Sequence, residues 1–94
     1  MKHARPDYDR IQDPAGLIPE DEPVFLIRGQ DSFAPRALDC YAELCDMAAK
    51  DIEEKAGVIT TQPEEAKGLR DMARATRAHA DRMRQWPVTK RPDV

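Results

Sequence analysis

Leu69-Arg70-Asp71-Met72-Ala73-Arg74-Ala75-Thr76-Arg77-Ala78-His79-Ala80-Asp81-Arg82-Met83-Arg84-Gln85-Trp86 decides the fold. Two stripes run through it at alternating spacings of three and four. Leu69, Met72, Thr76, His79, Met83 and Trp86 form a mostly apolar seam. Lys67, Arg70, Arg74, Arg77, Asp81 and Arg84 form a nearly continuous basic edge beside it. Residues three and four apart stack on one face of an α-helix, so the pattern predicts a helix buried along one side and cationic along the next. Thr61-Gln62-Pro63-Glu64 fits a capping box, with a hydroxyl at the N-cap, proline in the first turn and a carboxylate at N3. Pro87 ends the pattern, which places this helix over residues 62–86 and leaves 87–94 as a polar, frayed tail.

Working towards the N-terminus, Gly57 supplies a stop for an earlier helix, and Asp31-Ser32 followed by Pro35 supplies its start. The spacing predicts that helix over residues 33–55. Phe33, Ala37, Leu38, Tyr41, Leu44, Cys45, Ala48 and Ile52 form its apolar stripe, with Asp39, Glu43, Asp46 and Glu53 on an acidic far side. The short link between the helices favours an antiparallel hairpin. Val24-Phe25-Leu26-Ile27, between Pro23 and Gly29, reads as one short strand over 24–28, pairing with Val58-Ile59-Thr60-Thr61 or with a second subunit. Residues 1–23 carry four prolines and read as an extended arm with turns at Asp13-Pro14 and Ala15-Gly16.

Ninety-four residues make a single domain, residues 1–94, with a thin core. Only five residues are aromatic and 35% are charged, so self-association through the second helix is expected. The fold class is therefore mainly α: an oligomeric antiparallel two-helix hairpin with an extended N-terminal arm and one short strand. The net charge of −3 is unevenly placed. Residues 1–31 hold seven acids against four bases, and residues 62–86 hold four acids against six bases. This excludes a general polyanion binder and any sequence-specific nucleic-acid reader, and favours a compact anionic ligand or an acidic partner surface. The absence of a long apolar run predicts a cytoplasmic protein without membrane contact. Cys40 and Cys45 lie roughly 140° apart around a helix and cannot bridge within the chain, so both are expected to be reduced.

The guanidiniums of Arg70, Arg74 and Arg77 are the leading candidate ligand groups, because arginine presents a planar fork suited to phosphate. The competing reading pairs them with acids of the first helix such as Glu43 and Asp46. Arg28, Gln30 and Ser32 form a second candidate, a strand-to-helix corner whose backbone N–H groups sit at the positive end of a helix dipole. Its own alternative is an ordinary corner capped by Asp31 or Ser32. Tyr8 and Trp86 are candidate stacking platforms for a base. His79 reads as a half-buried core histidine. No ligand spacing suggests a metal, no cofactor is implied, and no nucleophile is matched with a base, so no enzyme is expected.

Two stretches carry a resemblance. Arg5-Pro6-Asp7-Tyr8-Asp9-Arg10-Ile11-Gln12-Asp13-Pro14, continuing in Ile18-Pro19-Glu20-Asp21-Glu22-Pro23-Val24-Phe25-Leu26-Ile27-Arg28-Gly29-Gln30-Asp31, is similar to the opening of small tailed-phage and prophage accessory proteins. His79-Ala80-Asp81-Arg82-Met83-Arg84-Gln85-Trp86 resembles the end of their final helix. The resemblance implies a counter-defence protein acting in the cytoplasm of the infected bacterial host. It would sequester a cyclic-nucleotide-type signal in a small oligomer. Alternatively it would inhibit a host immune effector as anti-CRISPR proteins do, or serve as a structural phage adaptor.

Overall fold

The computed structural model describes residues 13–55 and 63–92, together with the backbone of residues 2–3. Two helices of 22 residues, α1 (Ala34–Lys55) and α2 (Pro63–Arg84), pack along their whole length. At 1.5 Å per residue each is about 33 Å long. The radius of gyration, 16.4 Å, exceeds the roughly 12 Å of a compact domain of this length, as a rod-shaped hairpin requires. No helix among the described residues is long and apolar enough to cross a membrane.

The helices meet through small side chains. Ala42, Cys45 and Ala49 on α1 are buried, as are Ala66, Ala73 and Ala80 on α2. The α2 alanines recur every seven residues, a heptad repeat that keeps one row facing its partner. Alanine lets two helix axes approach closely, and the approach excludes larger groups from the line of contact. Leu69 packs at the edge of the Ala42, Cys45 and Ala73 cluster. Among the described residues no large side chain is fully buried.

This corrects the expected seam. Leu69 and Met83 are half-buried, but Met72 is 49% exposed and Trp86 56%. His79 is exposed as well and is no core histidine. The same holds on α1, where Tyr41, at 54%, and Leu44, at 58%, stay open to solvent. The apolar stripes flank the contact line because the alanines, one step round each helix, permit the tighter packing.

The ends of the chain correct two further expectations. The strand expected over 24–28 is confined to β2 (Pro23–Val24), which pairs in parallel with β1 (Lys2–His3), Lys2 opposite Pro23 and His3 opposite Val24. The N-terminal residues take the place proposed for Val58–Thr61, which lies outside the described residues, as do Gly57 and the Thr61 cap. The described residues after Pro87, 88–92, are anchored and not frayed: the Lys90 N–H donates to the Gln30 carbonyl and the Ser32 N–H donates to the Lys90 carbonyl, both at 2.8 Å. This bridge straps the C-terminal segment across the entrance to α1. Asp13 organises the expected turn, accepting the N–H groups of Leu17 and Ile18, while Gly16 adopts the left-handed φ of 62° that glycine tolerates.

Candidate functional site

Along one edge of the hairpin the basic stripe of α2 faces the acids of α1. Arg84 bonds Asp39, Arg77 bonds Asp46 at 2.6 Å, and Arg70 bonds Glu53 at 3.0 Å. Each step moves seven residues along both helices in opposite directions, which is the register of an antiparallel heptad pair. Arg70 also reaches Asp46 at 3.1 Å, and Arg77 approaches Glu43 at 3.7 Å. Asp46 is the central link, with its side chain only 24% exposed. The Arg77 hydrogen bond is the main cause holding its carboxyl below the ordinary carboxylate range; partial burial opposes this, and Arg70 adds to it. Glu53 and then Asp46 raise the Arg70 guanidinium, and Asp39 chiefly raises Arg84.

Arg74 stands off this ladder and bonds Asp71 at 2.9 Å, one turn away on its own helix. Lys67 and then Arg74 hold Asp71 below its usual range. Arg70, Arg74 and Arg77, expected to present guanidinium forks to an anion, thus all engage carboxylates of the chain. The reading that paired them with first-helix acids such as Glu43 and Asp46 matches the geometry of Arg70 and Arg77, whereas Arg74 pairs with Asp71 of its own helix.

The corner before α1 is occupied in the same way. Asp31 Oδ1 accepts the Phe33 N–H at 2.8 Å, the Asp31 carbonyl accepts Ala34 N–H, and the Ser32 N–H is taken by Lys90. These donors were the expected anion cradle, and the chain itself satisfies them. Ser32 belongs to this corner. Tyr8 lies outside the described residues.

Two of the expected residues instead converge with Trp86 elsewhere. A groove of about 440 Å³ lies between residues 26–30 and the last turns of α2. Leu26, Ile27, Met83 and Gly29 give it an apolar floor, and Arg28, Gln30, His79, Arg82 and Trp86 supply its polar and aromatic groups. Gly29 lies against this end of α2: a Cβ built there would stand 3.7 Å from Met83 Cγ and 4.0 Å from Trp86 Cβ, in ordinary van der Waals contact. Among the described residues neither the Arg28 nor the Arg82 guanidinium has an ion-pair or hydrogen-bond partner. The strap through Lys90 holds the Gln30 side of the groove.

Arg82 and His79 were not singled out as ligand groups from the sequence. A usable signal was present: the ladder takes positions 70, 77 and 84, and Arg82 falls outside that repeat. Among the described residues no group of three or more His, Cys, Asp or Glu side chains is placed to hold a metal. Cys45 is buried and Cys40 exposed, both as free thiols. No family model, curated protein or solved structure matches the chain.

Proposed function

We propose that this chain is a non-catalytic binding protein that takes up a small anion bearing a flat ring, of the nucleotide class, in the groove between residues 26–30 and α2. One observation carries the reading. Arg28 and Arg82 are unpaired beside an exposed indole, whereas the guanidiniums of Arg70, Arg74, Arg77 and Arg84 are all spent on carboxylates. Guanidiniums suit phosphate oxygens, an indole face suits a base, and the Gln30 amide offers both donor and acceptor to a base edge. The volume falls within the roughly 300–1,000 Å³ of small-molecule sites.

Joined to the resemblance to phage accessory proteins, this becomes sequestration: a counter-defence protein that lowers the free concentration of a cyclic-nucleotide signal in its host. The competing reading is a decoy for a host protein or a structural adaptor. It leaves Arg28 and Arg82 solvated and the chain indifferent to nucleotides. A thermal-shift screen of linear and cyclic nucleotides separates the two. A ligand at a hundred times its Kd stabilises the native state by about 2.7 kcal/mol. The expected result is a Tm rise of several degrees, lost in Arg28→Ala/Arg82→Ala and kept in Arg74→Ala. A flat response to every nucleotide overturns the reading.

A further inference from the structure

We infer that His79 is a third, proton-dependent cationic contact of the groove, so that the chain takes up its anion together with a proton. Rising pH releases both. This rests on the nucleotide-class reading of the groove and adds what regulates it. His79, Arg82 and Met83 stand three and four residues apart on α2, which brings them to one face. Trp86 follows just past the helix, and its N–H still donates to the Met83 carbonyl at 3.1 Å, which carries that face on to the indole. Residues 26–30 lie across it and bring Arg28 to the same groove.

The charges in the groove are of one sign. Arg28 and Arg82 are permanent cations, and there is no carboxylate among the described residues that line it. No described side chain of α1 lines it either. The neighbouring carboxylates are held elsewhere: Asp31 accepts the Phe33 N–H, Asp39 and Asp81 bond Arg84, and Asp46 bonds Arg77 on the ladder edge. The charged groups that share the groove with the His79 ring are therefore Arg28, from the crossing segment, and Arg82, from its own helix. His79 is exposed, and its ring nitrogens have no hydrogen-bond partner among the described residues. Imidazole is the side-chain group that gains and loses charge around neutral pH. With the groove empty, a third positive charge beside two guanidiniums is repelled; with an anion seated among them, it is attracted. Anion and proton then strengthen each other's binding by the same factor. Uptake therefore tightens as pH falls through the imidazole range and levels off below it.

A cyclic dinucleotide is the probe, because its phosphodiesters keep a fixed charge around neutral pH, where a terminal phosphate titrates. Titration calorimetry of the full chain at constant ionic strength is expected to show uptake about tenfold tighter at about pH 5.5 than at about pH 8. Paired buffers of different ionisation heat are expected to show net proton uptake on binding. His79→Gln, at an exposed site, removes the pH dependence, whereas His79→Lys, cationic throughout, keeps uptake tight at the alkaline end. Equal affinity at both pH values, or an unaltered pH profile in His79→Gln, overturns the inference and leaves the groove reading standing. No uptake at any pH overturns both.

Discussion

Asp46 bonds both Arg70 and Arg77, and no other described carboxylate joins two guanidiniums of α2. Its lowered pKa means that the folded state favours the ionised carboxylate. A depressed carboxylate stabilises the fold above its unfolded pKa, and that contribution disappears as pH falls through the lower, folded value. Asp46→Asn is therefore expected to lower Tm by a few degrees at pH 7. The gap to the unsubstituted chain should be full above the ordinary carboxylate range, about pH 4, and shrink as pH falls below it. Calorimetry across the acid limb checks it, and a gap that does not change with pH would remove Asp46 from the account. Asp71, held low by Lys67 and then Arg74 within α2, should shape the same acid limb. The sequence made the acids of α1 and the bases of α2 plain. It could not show that they face each other, because that depends on the rotation of each helix about its axis, and this rotation is set by where the alanines sit.

That rotation is the lesson at the level of elements. The boundaries of both helices were legible to within about two residues from Pro35, Pro63, Pro87 and the 3.6-residue period. The buried row was not, since large apolar residues usually mark the core and alanine is easily read as filler. In this hairpin Ala73 is 1% exposed and Met72 is half-exposed. Ala73→Leu should accordingly destabilise the fold by about 1–3 kcal/mol through overpacking, whereas Ala78→Leu, on the exposed side of α2, should shift stability by less than about 0.5 kcal/mol. Urea denaturation of the two variants distinguishes them. Equal costs would mean that the alanine row does not carry the helix contact. The C-terminal segment was illegible for a different reason: its bonds to Gln30 and Ser32 are made by backbone, which no side-chain pattern announces. Deleting residues 89–94 should speed amide exchange at Ser32 while the central amides of α1 and α2 stay protected.

For the whole molecule, the division of its arginines organises the account. Arg70, Arg77 and Arg84 join the two helices, Arg74 is held within α2, and Arg28 and Arg82 remain at a groove beside Trp86. The candidate site was half legible: Arg28, Gln30 and Trp86 could be chosen from the sequence, but their convergence depends on residues 26–30 crossing the end of α2. Gly29 borders the groove against Met83 and Trp86, so a large side chain there, as in Gly29→Leu, is expected to narrow it and weaken ligand uptake with little loss of helix content, read by titration calorimetry and circular dichroism.

The most direct measurement is a nuclear magnetic resonance titration of the labelled chain with a cyclic dinucleotide, following the Trp86 indole, the His79 ring and the arginine Nε–H signals. The account predicts saturable shifts at Trp86, His79, Arg28 and Arg82, with Arg70 and Arg77 unmoved in their carboxylate pairs. Shifts centred on Arg70, Arg74 and Arg77, or no saturable shift at all, would contradict it.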